Sequence, residues 1–440
     1  MKIKIIVCIV LFAALLAIAA CAAQPEPEYI PTNGDTSPTG PSYDATTSDN
    51  IPVENSEQET ESYTLSSQAG MPGKIAIIAY EHNTALGPNH GENWVIELKE
   101  IHGHENIIIY THPISRSFRA AEVEAMIDEI AQNPEIRMLI INPARSGADH
   151  IAGMLRQQRD DIFIVYIGYE ITVYSENPFQ DNALSHAASN ANLILNINTN
   201  EMARRVPANA LELGADTLIF FYDSVTWDDE EFVESFIHSM MRDKSAEIGL
   251  MFVEIDIEGY IQCGSSFHMF LERMIPLLIE EYGTNIVLYG LDNWRVLGEW
   301  LREGLFFLPM STNLLELCPA SLALELQLID WSAHIRLYDI PRLIDEIRRY
   351  IEERGLQGRI AVPPMSPRML FPLAAVEYGI MWMQGGVQIE GIDIQVMEQI
   401  MADLIVMHTG LNKNITLSPL EENGVIYENY MLILADLLIY

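Results

Sequence analysis

Basic residues are scarce in this chain. It carries 25 Lys and Arg against 62 Asp and Glu, a formal net charge of −37 over 440 residues. Nucleic acid and anionic lipid headgroups are both held by Lys/Arg contacts to phosphate, so a chain this acidic repels both. Nucleic acid is therefore excluded as a partner, while cations are attracted. Cysteine is also sparse: four residues, Cys8, Cys21, Cys263 and Cys318, none in a C-x-x-C metal arrangement. The sequence has no G-x-S-x-G, no Walker loop and no G-x-G-x-x-G after its first strand-like run. The nucleophile elbow, the phosphate loop and the dinucleotide turn are thus missing. Nothing assembles into a nucleophile, a base and an oxyanion donor, so the chain reads as a non-enzyme with no cofactor.

What is present begins with Lys2 and Lys4, an apolar run from Ile5 to Leu16, and Ile18-Ala19-Ala20-Cys21. A charged start, a short apolar stretch and small residues before a cleavage point make an export signal. The apolar stretch is short of the roughly 20 residues that span a bilayer. A cysteine directly after Ile-Ala-Ala resembles the lipobox of bacterial lipoproteins. That resemblance implies removal of residues 1–20, diacylation of Cys21 and tethering to the extracytoplasmic face of the cell membrane. Two acyl chains satisfy the two-signal requirement for stable anchoring. An ordinary secretory signal with an incidental cysteine and an uncleaved anchor are the alternatives. Residues 21–72 then read as the lipidated cysteine and a linker. Rich in Pro, Ser, Thr, Asn and Glu and free of Lys and Arg, the linker cannot bury enough apolar surface to order itself. As a coil it reaches roughly 40 Å; a glycosylated stalk is the other reading. Cys263 and Cys318 are either one disulfide or two buried thiols, which spacing alone does not decide.

The remaining stretch of roughly 370 residues is long enough for two lobes. Apolar runs of strand length lie at 74–80, 106–112, 137–142, 161–168 and 192–198. Amphipathic helical stretches at 92–100, 120–132 and 147–158 separate them. The pattern restarts with a helix at 201–213, then strands at 217–222, 249–256, 285–289 and 305–308 between helices at 229–242, 267–282 and 294–303. Strand runs without polar alternation are buried on both faces, which means parallel sheets covered by helices. One sheet of about ten strands approaches the limit before splitting. The expected fold class is therefore α/β, two doubly wound parallel-sheet lobes with a cleft between them. Lobe 1 is placed at 73–198 with a return segment near 320–365, and lobe 2 at 199–319 with part of 366–440. Helices are expected at 340–354, 371–383 and 392–407, a short strand at 359–362, and a core-packing element at 431–440.

This pattern resembles the type I periplasmic-binding fold. Several segments resemble the domain-of-unknown-function family 3798 of bacterial lipoproteins: KIAIIAY, NPEIRMLIINPA, GMLRQQRDDIFIVYIGYE, ANLILNINTNEMARRVPANALELGADTLIFF, IEEYGTNIVLYGLDN and IAVPPMSP, in order over residues 73–385. Most are framework pieces, so the resemblance bears on fold. Where the family has acidic residues after the first strand and a Pro-Arg-His-type segment after the sixth, this chain has Glu81-His82-Asn83 and Asp223-Ser224-Val225. Ligand identity is not carried over. Asp292-Asn293 aligns with an Asn-Asp-type pair after the eighth strand.

Ligands of open α/β sheets bind outside the carboxyl ends of the strands. Those ends supply Tyr80, Glu81 and His82; His112; Asn142 and Arg145; Tyr169 and Glu170; Asn198 and Asn200; Tyr222 and Asp223; Glu254 and Asp256; and Asp292 and Asn293. Carboxylates and aromatic faces with few cations suit a polar small molecule, one bearing positive charge included. Arg145 is the candidate partner for a ligand carboxylate, with a surface ion pair as its bland reading. His82, His90, His102, His104 and His112 fall close in sequence, but no H-E-x-x-H accompanies them, so no metal is expected. The functional expectation is a membrane-anchored solute-binding lipoprotein that binds a polar small molecule between its lobes and serves an ABC permease. The alternatives are a sensor or scaffold of the same fold acting through a protein partner, and an exported enzyme.

Overall fold

The computed structural model describes residues 71–80, 93–112, 120–142, 148–168, 183–222, 233–256, 267–289, 301, 303–308, 318–329, 339–387, 391–422 and 424–440. Strands and helices alternate through the first part: β1 (Lys74–Tyr80), α1 (Asn93–His102), β2 (Ile107–His112), α2 (Ala120–Gln132), β3 (Ile136–Asn142), α3 (Ala148–Gln158), β4 (Phe163–Ile167), α4 (Ala183–Asn190) and β5 (Leu193–Ile197). The second part follows with α5 (Thr199–Leu213), β6 (Thr217–Tyr222), α6 (Val233–Ile248), β7 (Met251–Asp256), α7 (Phe267–Tyr282) and β8 (Ile286–Tyr289). Last come α8 (Pro319–Glu325), α9 (Ile340–Glu352), β9 (Ala361–Val362), α10 (Pro367–Met383), α11 (Ile394–Thr409), β10 (Ile415–Glu422), β11 (Val425–Ala435) and β12 (Leu438–Ile439).

The first sheet has the order β10-β11-β5-β4-β3-β1-β2. Every pairing in it is parallel except β10 with β11. All of β4 and nearly all of β3 are buried, as helices on both faces require. The second sheet has the order β7-β6-β8, all parallel. It continues through single parallel bridges, Val287 to Phe306 and Phe307 to Ile360, into β9, where β12 pairs antiparallel.

The chain joins the two sheets three times. It passes from β5 through Asn198 into α5, from β9 through residues 363–366 into α10, and from β11 into β12 across Asp436 and Leu437. The tail therefore departs from expectation. Residues 360–362 join the second sheet rather than the first, helix α9 packs on α8 and α11, and 367–435 accompany the first sheet while 438–439 join the second. The expected core-packing element at 431–440 is the end of one strand plus all of another. The physical reason is that strand membership is fixed by long-range pairing, to which local pattern is blind.

Helices form where apolar spacing and caps agree. On α9, Ile340, Leu343, Ile344, Ile347 and Ile351 are buried, the stripe of an amphipathic helix. Helix α10 is buried all round from Leu370 to Ile380. It is capped by Ser366, whose hydroxyl accepts from the Arg368 amide at 3.3 Å. A Cβ at Gly379 would stand 2.4 Å from the Met138 sulfur, so any larger residue there would have to displace the buried Met138 side chain between α10 and β3. Buried His102 of α1 and Glu377 of α10 meet at 3.3 Å. Cys318 is a buried free thiol; Cys263 lies outside the described residues.

Arginines clamp the amino ends of the strands. Arg156 donates to the Asn190 carbonyl at 3.1 Å, to the Ile162 carbonyl at 2.8 Å and to the Asn192 side chain. Arg159 reaches the carbonyls of Ala131, Asn133 and Ile136, each at 3.2 Å. It also holds Asp161, whose carboxyl is pulled below its usual range mainly by that hydrogen bond. In the second sheet Arg359 donates to the carbonyls of Gly304 and Thr284 and lies 4.4 Å over the Phe306 ring.

His408 on α11 is buried, and burial pushes its pKa down to about 4. The unfolded imidazole titrates near 6.5, so between there and about 4 the unfolded chain binds the extra proton and stability is lost as pH falls. Stability from this group is full above pH 6.5. Its loss by pH 4 is expected to reach about 3 kcal/mol from the size of the shift. Urea unfolding at pH 7 and pH 4.5 measures it, and His408→Gln should flatten that part of the dependence.

Candidate functional site

The carboxyl ends of the first sheet gather polar groups where its strand order reverses. Tyr80 pairs with His112 across β1 and β2, and Ala79 pairs with Asn142 across β1 and β3. Three of the expected site residues, Tyr80, His112 and Asn142, therefore end adjacent strands beside the switch point between β1 and β3, the usual place for a ligand in such sheets. Asn142 is buried there. In the second sheet Tyr222 pairs with Asp256 across β6 and β7. Burial, then the negative charges of Asp256 and Glu254, push the Tyr222 hydroxyl up in pKa. Neutral phenol beside carboxylate is a wall that favours hydrogen-bond acceptors and cations over anions.

Glu254 and Asn198 are among the expected site residues with partners within the fold. Glu254 contacts the His238 imidazole and pairs with Arg242 at 3.9 Å, both on α6. The His238 ring sits 4.8 Å from that of Phe220 and 5.6 Å from that of Phe252. Burial lowers the His238 pKa, and Glu254 opposes that shift. Asn198 lies on the first crossing between the two sheets. Its amide donates to the Ile433 carbonyl at 2.9 Å, its side-chain oxygen caps α5 through the Glu201 amide at 3.0 Å, and its side-chain nitrogen donates to Ser418 Oγ at 3.3 Å. Asn200 is exposed in the first turn of α5. Glu81, His82, Arg145, Tyr169, Glu170, Asp223, Asp292, Asn293 and the lipid site Cys21 lie outside the described residues. His104 sits exposed in a short 3-10 turn, away from buried His102. No group of three potential ligands for a metal occurs among the described residues.

Sequence reasoning missed the residues that tie the crossings together. Arg205 of α5 meets Asp436 of the third crossing at 3.5 Å. Asp436 in turn accepts from the Asn414 side chain at 3.0 Å, and its amide donates to the Asn414 carbonyl at 3.0 Å. Around these segments lies an apolar pocket of about 100 Å³, at the carboxyl ends of β5 and β11. The clue was an acidic residue, Asp436, interrupting an apolar run. It marks a strand break that lets one segment serve two sheets.

A model of the family described as "Protein of unknown function (DUF3798)" matches residues 92–361. No curated protein matches the sequence. Among solved structures, a proposed transcriptional regulator from Clostridium difficile 630 superposes with a TM-score of 0.65 at 16% identity, over 84% of this chain and 99% of that one. An ABC transporter substrate-binding protein from Desulfitobacterium hafniense in complex with Leu gives 0.34 at 12% identity, over 83% and 97%. A carbohydrate transporter from Acidothermus cellulolyticus 11B in complex with myo-inositol gives 0.36 at 9% identity, over 72% and 90%. The fold is α/β and type I periplasmic-binding-protein-like.

The Glu254 pairing has a direct readout. Glu254→Gln removes the charge that supports His238 protonation while burial remains, so the His238 pKa should fall further, by about one unit. An NMR titration of the imidazole checks this; an unmoved His238 would mean Glu254 points elsewhere.

Proposed function

The chain belongs to the domain-of-unknown-function family 3798, and from that premise we propose that it is an extracytoplasmic solute-binding lipoprotein. It holds a polar small molecule between the carboxyl ends of its two sheets and presents it to an ABC importer. One observation carries this reading: two separate sheets are joined by three crossings, and polar side chains collect at the carboxyl ends of both. Asn142 supplies hydrogen bonding on one wall, and Tyr222 with Asp256 supplies a phenol and a carboxylate on the other. With few cations in the chain, a neutral or positively charged polar solute is the class favoured. Such a ligand contacts both walls only when they approach, so its binding energy favours the closed arrangement. The permease then distinguishes loaded from empty protein by shape. Acylation of Cys21 and the following linker keep this module at the membrane surface, as the lipobox resemblance implies.

The test is native mass spectrometry of the purified chain for a retained small molecule, followed by melting in the presence of polar metabolites. A true ligand at 100 times its Kd stabilises by about 2.7 kcal/mol, which raises Tm by roughly 4 °C or more for a protein of this size. Asn142→Ala and Asp256→Asn should each weaken that ligand by about tenfold, the cost of one lost buried hydrogen bond. No retained ligand and no Tm rise across neutral and cationic metabolites would refute the solute reading. Separately, Cys21→Ser should abolish incorporation of labelled fatty acid and release the protein from the membrane fraction. Unchanged labelling would refute the lipid anchor.

A further inference from the structure

The apolar pocket beside the hinge is built by all three crossings. Ile197 and Val206 come from the first, Pro363 and Phe371 from the second, and Ile433 and Leu437 from the third. No single lobe owns it. A pocket whose opposite walls are carried by different sheets changes shape whenever those sheets rotate about their joints. Its contents therefore have different contacts in different lobe arrangements.

The lining also defines what it takes. A volume of about 100 Å³ is somewhat below the roughly 150 Å³ apolar cavity that accommodates benzene. It admits a ring or branched chain of about five to seven heavy atoms and no peptide. The polar groups are Arg205, Asn209 and Asp436. Arg205 is matched twice, by Asp436 at 3.5 Å and by Glu201 at 3.3 Å. Two carboxylates around one guanidinium leave the surroundings net negative, so a carboxylate or phosphate is repelled and gains no unpaired cation. Asn209 can serve a hydroxyl or carbonyl. This chemistry is opposite to that of the polar strand ends.

We propose that the hinge pocket is a second binding site, for a compact uncharged apolar molecule such as a small aromatic or a branched aliphatic alcohol, and that its occupancy biases the lobe arrangement. Binding at this site stands without any cleft ligand. Coupling to solute affinity rests on the function proposed above, and is then reciprocal: whichever arrangement the apolar guest favours, the solute strengthens or weakens the guest by the same factor.

Fluorobenzene titrated into the full chain and followed by ¹⁹F NMR tests the site, with hydrogen exchange of the wild-type protein as a second measurement. Saturable binding is expected, weakened tenfold or more by Val206→Phe and by Ala435→Leu, which fill the pocket from different crossings. Bound fluorobenzene is also expected to slow exchange in all three crossings, near residues 198–206, 360–367 and 433–438. Non-saturable partitioning, binding retained in folded forms of both variants, or protection confined to one crossing overturns the proposal; the wild-type exchange measurement decides it if neither variant folds. Fluorobenzene binding together with a failed polar-solute screen would remove the solute reading and leave this site standing. The reverse result would remove this site alone.

Discussion

Two residues, Asp436 and Leu437, separate a strand of the first sheet from a strand of the second, and the architecture depends on that short passage. β11 pairs in parallel with β5 from Tyr430 to Ile433, and β12 pairs antiparallel with β9 immediately afterwards. A connection this short cannot stretch, so the two sheets are held at a fixed separation along one edge. Together with the passages at Asn198 and at residues 363–366, it makes three joints between the sheets. The polar contacts among Asn198, Ile433, Arg205, Asp436 and Asn414 bind the first and third joints to each other.

The two ends of each sheet do different work. At the amino ends, Arg156, Arg159 and Arg359 gather carbonyls from successive connections, so backbone groups that loops would leave to water are satisfied by fixed guanidinium donors. Three of the chain's few basic residues are committed there. At the carboxyl ends stand Asn142, Tyr222 and Asp256, with Tyr80 and His112 closing the neighbouring strands β1 and β2. The guanidinium clamps thus sit at the strand ends opposite those that carry the polar residues of the candidate site.

Much of this fold is legible in the sequence because its strands are buried on both faces. Continuous runs such as IRMLIIN and TLIFFY announce themselves without tertiary information. The β10–β11 hairpin was missed because its signals conflict. Pro419 argues against a strand, and Glu428-Asn429 interrupts the apolar run of β11. Yet an outer strand tolerates proline, and β10 is the outermost strand of the first sheet. Asn423-Gly424 between the two arms is a strong hairpin signal and was the informative clue. Helix α10 lacks a polar face because it is enclosed by α1, β3, β4 and α11. For the site, the strand-end rule locates Tyr80, His112 and Asn142 side by side. It does not reveal that Glu254 answers to His238 and Arg242, or that Asn198 caps a helix, because those partners lie on elements whose placement only the folded chain determines.

The pairing of β11 with β5 also sets a schedule. β5 closes near residue 197, but its neighbour on the outer side arrives more than two hundred residues later, and the second sheet likewise waits for β12. Each sheet is begun well before the strand that completes it is made. Contacts so distant in sequence make folding slow and leave strand edges open in the partly made chain. A nascent chain in that condition remains extensible for longer than one whose lobes close one after the other. Under the export proposed above, such late completion is an advantage written into the topology.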